Sequence, residues 1–186
     1  MKRLILPLLG MALLLGSLGW MLGLRLQVKQ DLQQCQTVAG QMAELLPERT
    51  DGITGSDRGM PVLEIHGTDY AALLELPGFG LALPVSDGWN GGQGIPSRFS
   101  GSAYGKDLVI GGLEEDGIFR FCGQVDLGDR IMVTDMTGAV FYYTVVRVDR
   151  AKEAPKDWLE GWDLTLFCHA GYAMEYIAVR CELEYQ

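Results

Sequence analysis

From Leu4 to Leu24 the chain reads LILPLLGMALLLGSLGWMLGL, an uncharged run that at the helical rise of about 1.5 Å per residue spans a bilayer hydrocarbon core. It is too long for the apolar stretch of a cleaved signal peptide, and Arg25, Leu26 and Gln27 follow it instead of a small-residue cleavage site. The pattern predicts an uncleaved transmembrane signal anchor over residues 1–24, with a cytoplasmic tip. RLQVKQDLQQCQTVAGQMAELL, residues 25–46, lacks Pro and is rich in Leu, Gln, Ala and Glu, which predicts a juxtamembrane helical stalk. PERTDGITGSDRG, residues 47–59, has no hydrophobic period and is read as a linker.

Beyond residue 60 the period changes. Short apolar or alternating runs (PVLEIH, LLELPGFGLALPV, DLVIGG, DRIMVTD, AVFYYTVVRV, DLTLF, YIAVRCEL) are punctuated by Gly, Pro, Asn and Asp. Such spacing predicts an all-β sandwich or barrel over residues 60–186. The clearest unit is DRIMVTDMTGAVFYYTVVRV, two strands flanking a Met-Thr-Gly turn whose glycine can take positive φ.

Charge narrows the partners. The net charge is -9, and residues 1–30 carry four basic and no acidic side chains, so the remainder stands at -13. An acidic body of this kind repels nucleic acid and anionic lipid, so no nucleic-acid partner is expected. Cys35, Cys122, Cys168 and Cys181 are far apart with no CxxC spacing, which gives no support for zinc or any other metal or cofactor. They read as free thiols, mostly buried, with Cys35 on the stalk either exposed or pairing between chains.

Four segments, in order, resemble the sortases, the membrane-anchored cysteine transpeptidases of mainly Gram-positive bacteria: HGTDYAALLELPGFGLALPV, IPSRFSGSAYGKDLVIGG, FRFCGQVDLGDRIMVTD and DLTLFCHAGYAMEYIAVRC. The resemblance covers residues 60 to 184 and implies a closed eight-stranded β-barrel with short helices behind the anchor and stalk. It also implies a chemistry of three groups: a cysteine nucleophile, a histidine that protonates the leaving amine and an arginine that stabilises the oxyanion.

The match at those three positions is partial. Arg180 in YIAVRC falls on the family's arginine without adjustment. Leu113 stands where the histidine is expected, and leucine cannot transfer a proton. Against the family pattern T-L-x-T-C this chain reads LTLFC, so either one residue is missing before the cysteine or Cys168 holds the threonine position and His169 the cysteine position. A one-residue slip turns a side chain to the other face of a sheet. His169, next to Cys168 on a strand, points the opposite way and is a poor base for it. His66 reads as an ordinary strand-end residue, and the tract Glu114, Glu115, Asp116 as a solvated turn.

The expectation is therefore a membrane-anchored, extracytoplasmic sortase-like domain, a pseudoenzyme that binds a sorting-signal peptide or a cell-surface protein as a scaffold. The alternative is an active transpeptidase or peptidase working through Cys168, Arg180 and a reoriented His169. A third reading is a purely structural β domain. The face on which Cys168 projects separates them.

Overall fold

The computed structural model describes residues 2–54, 59–89, 91, 94–113, 118–153, 159–170 and 175–184, and of residues 2–10, 12, 22, 24–32, 113 and 170 the backbone alone. One long helix, α1 (Lys2–Leu45), precedes ten strands: β1 (Thr50–Asp51), β2 (Leu63–Ile65), β3 (Thr68–Leu76), β4 (Leu81–Ser86), β5 (Ser97–Ser100), β6 (Leu108–Leu113), β7 (Arg130–Asp135), β8 (Ala139–Ala151), β9 (Leu164–Ala170) and β10 (Glu175–Leu183). Two short 3₁₀ helices, Pro77–Phe79 and Arg120–Gly123, complete the described elements.

Hydrogen bonding runs β3-β4-β5-β6-β9-β10-β8, and β7 pairs with both β8 and β3. That last pairing closes eight strands into a barrel, while β1 and β2 are short additions beside β8 and β3. Closure removes the free strand edges that would otherwise invite pairing with another chain. The expected barrel is thus present, and the predicted turn is too: Gly138, between β7 and β8, has φ of 84°. His66 lies at φ 52° beside Gly67 at φ 78°, so the two residues joining β2 to β3 are both left-handed, as a two-residue hairpin with the strand twist requires.

The barrel interior is filled by alternate side chains, among them Leu74, Leu83, Ile110, Phe119, Ile131, Phe141, Leu166 and Val179. Tyr104 donates its hydroxyl hydrogen to buried Asp135, whose other oxygen accepts from the Thr137 and Ala139 amides and the Thr137 hydroxyl. One carboxylate so organises the β7–β8 turn and ties it to the segment before β6.

β3 is buried on both faces from Tyr70 to Leu74, and the reason lies in α1. A register shift between Tyr70 and Ala72 lets Ala72, Leu74 and Leu76 face the barrel interior while Tyr70 and Leu73 join a second cluster outside, with Ala39 and Met42 of α1. Cys35, Ala39 and Met42 recur at helical spacing and are buried. Burying a side chain of the size of Met42 or Leu73 contributes about 1.5–3 kcal/mol. The last turns of the expected stalk are therefore packed against the barrel rather than standing free, and Cys35, expected exposed or pairing between chains, is 1% exposed. The expected linker also differs: Thr50 and Asp51 form β1 alongside Ala139 and Val140, and Arg49 Nη2 donates to both carboxylate oxygens of Glu75 in β3.

Among the described residues no helix is long and apolar enough to cross a membrane. The side chains at 2–10, 12, 22 and 24, which carry much of the expected span at Leu4–Leu24, lie outside the described residues.

Candidate functional site

β9 lies between β6, with which it is parallel, and β10, with which it is antiparallel. Its sequence LTLFCHA alternates, and the register assigns each side chain to a face. Cys168 is opposite Ile177 in β10 and beside Gly112 in β6. Leu164, Leu166, Cys168, Ile177, Val179 and Cys181 all belong to the barrel interior. Thr165 is opposite Arg180, Phe167 opposite Ala178 and His169 opposite Tyr176, and these six form the outer face.

Cys168 and Arg180 are therefore not brought together. The Cys168 thiol is 0% exposed and faces the core; Arg180 projects from the other side of the sheet. Of the two alignments left open by LTLFC, the register agrees with the one that puts His169 on the face of Arg180 and Cys168 on the other. His169 is half-buried, its ring centroid 4.7 Å from that of Tyr176, and it is beside Leu113 where the parallel strands β6 and β9 end together. The other three cysteines are buried as well: Cys122 and Cys181 in the barrel, as expected, and Cys35 on the face of α1 that packs against the barrel. Burial pushes the Cys181 thiol far above its ordinary range, with neighbouring Arg180 only partly opposing.

Arg180 is itself enclosed, 1% exposed. Its Nε donates to Asp149 Oδ2 at 3.2 Å and its Nη1 to Thr165 Oγ1 at 3.1 Å. Asp149 accepts a further bond from Arg147 Nε at 2.6 Å. Burial lowers the affinity of the guanidinium for its proton, while the bond and charge of Asp149 raise it. An arginine remains charged over the whole physiological range, so this one is a buried cation held by a carboxylate. Val109, Thr165 and Ala178 on the same outer face are also buried.

Further along that face, three aromatic rings assemble. Trp89, from the connection between β4 and β5, lies 5.3 Å from Phe167 and 5.4 Å from Phe99 of β5; Phe99 and Phe167 meet edge to face at 5.5 Å. The rings of Phe167 and Trp89 cover Gly111, where any β-carbon would collide with both. Trp89 and Phe99 remain 41% and 44% exposed, so the cluster is a surface patch as well as a packing unit.

Sequence reasoning missed Asp149 and the aromatic trio. Asp149 sits in an alternating strand two residues from Arg147, and only the β8–β10 pairing reveals what it neutralises. Gly111 beside Gly112 was the available signal for the trio, since a glycine inside a strand marks a close approach. The Glu114–Asp116 tract lies outside the described residues, and so does the side chain of Leu113. Among the described residues no group of three His, Cys, Asp or Glu side chains is placed to hold a metal ion.

No family model and no curated protein sequence matches the chain. Solved structures do. Sortase C-1 from Actinomyces oris superposes with a TM-score of 0.56 at 16% identity over 83% of this chain and 99% of the other. A sortase D5 transpeptidase from Clostridium perfringens gives 0.55 at 16% identity, covering 84% and 98%. Sortase A from Corynebacterium diphtheriae gives 0.53 at 15% identity, covering 86% and 85%. A closed barrel of eight strands with two short 3₁₀ helices, superposing on these proteins over most of their length, has the sortase fold.

Proposed function

We propose that this protein is a membrane-anchored, extracytoplasmic sortase-fold protein that has lost transpeptidase chemistry and works as a binding or scaffolding domain for a peptide or cell-surface protein. One observation carries the reading: the Cys168 thiol is in the barrel interior while Arg180 is on the outer face. A nucleophile must reach a carbonyl whose developing oxyanion the arginine stabilises, and the two groups must share one side of the sheet. Leu113 at the end of β6 supplies no proton donor, and the pairing of Arg180 with Asp149 satisfies a cation that catalysis would need free for a developing anion. Losing an acid or base alone costs a factor of about 100 to 10,000 in rate.

Anchoring rests on the uncharged run Leu4–Leu24 within the continuous helix α1. The aromatic patch of Trp89, Phe99 and Phe167 supports a binding role on the outer face, since exposed aromatic clusters are enriched at interaction sites.

The test uses the full chain in detergent micelles, a library of fluorogenic peptides and triglycine as acceptor amine. The expected result is binding of some peptides, read by fluorescence anisotropy, with no cleavage or transfer. Cleavage that disappears in Cys168→Ala would establish the active transpeptidase instead.

A further inference from the structure

α1 crosses the outside of the barrel in the order of its strands. Just past the C-terminus of the helix, the Pro47 and Glu48 carbonyls stand where a β-carbon on Gly138 would meet them at 3.0 and 2.9 Å, and the Thr50 amide donates to the Gly138 carbonyl of the β7–β8 turn. Ala39 and Met42 then pack with Tyr70 and Leu73 of β3 and with Ala82 of β4. Cys35 Sγ donates to the Gly94 carbonyl at 3.5 Å, shortly before β5 begins at Ser97. Followed from its C-terminus, the helix thus passes the β7–β8 turn, β3, β4 and the entry to β5. The strands that come next in the closed order are β6 and β9.

The aromatic patch occupies those next strands. Phe99 is on β5, Phe167 on β9, and Trp89 covers Gly111 of β6 between them. A helix lying across β3 and β4 and leaving the barrel at β5 has the wall of β5, β6 and β9 turned toward the direction in which it leaves. The patch therefore faces the N-terminal half of α1, which carries the uncharged run Leu4–Leu24. From Cys35 back to Leu24 is about 16 Å of helix, and β5 and β9, two strand spacings apart, are separated by about 10 Å. The end of the apolar run and the far edge of the patch are thus at similar reach from the docked segment. Among the described residues, Trp89 and Phe99 are the exposed aromatic rings outside α1. Rings of this kind concentrate at the bilayer–water interface, where an apolar body settles among headgroups and the first acyl carbons. Arg98, the cation beside Phe99, is already paired with Asp87, so the contact needs no lipid charge, in keeping with an acidic body that anionic lipid repels.

We propose that the patch of Trp89, Phe99 and Phe167 rests on the interfacial layer of the membrane in which α1 is anchored, with zwitterionic phospholipid as its partner. The docked helix fixes the barrel against the bilayer on this side, so the outer face that carries His169 and Arg180 is held at the membrane surface. The inference rests on the anchoring in the proposed function and does not depend on whether a peptide binds.

The test uses the unsubstituted full chain in phosphatidylcholine vesicles whose acyl chains carry a photoactivatable diazirine close to the glycerol, with labelled residues mapped by mass spectrometry. Ile53 and Leu127, 81% and 68% exposed beside β8 on the far side of the barrel from β6, serve as internal controls. The expected result is label within Leu4–Leu24 and on Trp89, Phe99 or Phe167, with Ile53 and Leu127 unlabelled. Label within Leu4–Leu24 and none on the three rings would overturn the inference while leaving the anchoring intact, and the patch would then belong to a peptide or protein. Equal labelling of the patch, Ile53 and Leu127 would also overturn it, because the contact would have no preferred face. An absence of label within Leu4–Leu24 would contradict the anchoring itself, and the inference would fall with it.

Discussion

Arg180 stands directly opposite Thr165 on neighbouring antiparallel strands, and the Thr165 hydroxyl accepts a bond from its guanidinium at 3.1 Å. Three residues on, Cys168 faces the other way, opposite Ile177 in the barrel interior. Strand geometry alone dictates the consequence: an odd sequence separation on a regular strand puts two side chains on opposite faces. His169 instead shares the face of Arg180.

A cysteine at position 169 would therefore be accessible where Cys168 is not. In His169→Cys, mass spectrometry after brief treatment with iodoacetamide is expected to find the label on position 169 and leave Cys168 unmodified. Labelling of Cys168 with position 169 protected would reverse the face assignment.

Arg180 is buried with Asp149 as its counterion. Removing one member of a fully buried pair costs about 3–5 kcal/mol, and Asp149 keeps 20% of its side-chain surface exposed, which lets water compensate in part. Asp149→Asn should destabilise the protein by about 1–3 kcal/mol, read as a lower denaturant midpoint at unchanged slope. Thr165→Val, which removes a neutral acceptor, should cost less.

Tyr104 Oη lies 2.5 Å from Asp135 Oδ2 in a buried setting. Tyr104→Phe removes the donor and leaves the carboxylate with its three bonds to Thr137 and Ala139. The expected loss is about 1–2 kcal/mol, with the β7–β8 turn retained, and chemical shifts of Gly138 and Ala139 check the latter.

Glu184 is held by Arg130 and by the Thr144 hydroxyl, which together depress its pKa from 4.5 to about 2. A depressed carboxylate stabilises the fold where it is ionised in the native state, so its contribution is complete above the ordinary glutamate range and is lost as pH falls through about 2. The stability gap between the unsubstituted chain and Arg130→Ala should thus close between about pH 5 and about pH 2 and stay constant at higher pH. The gap should also shrink with added salt, because the pair is largely exposed.

Much of the barrel was legible in the chain because its strands alternate or run apolar between Gly- and Pro-bearing breaks, and because the Met136-Thr137-Gly138 turn announces a hairpin. The position of Cys168 was legible only as a choice between two alignments, since a single residue separates them and the family pattern fits neither perfectly. The pairing of β9 with β10 gives the face that Cys168 takes, and that pairing is nonlocal information. The docking of α1 was hidden for another reason. Its buried stripe consists of Cys35, Ala39 and Met42 set among Gln and Thr, small or soft residues that produce a faint apolar period. The double burial of β3 is the trace it leaves in the sequence, in YAALL where a one-sided strand would alternate. Residues 47–59 read as linker because β1 is only two residues long and makes its bonds to the β7–β8 turn and the start of β8.

The central claim is that Cys168 is a core residue and not a nucleophile, and its alkylation rate in the native full chain measures this most directly. The account predicts that Cys168 reacts far more slowly in the native chain than in the same chain unfolded in guanidinium, with Arg180→Ala giving no further slowing. Rapid native alkylation of Cys168 that is lost in Arg180→Ala would contradict it, because it would require the thiol and the guanidinium to share one face.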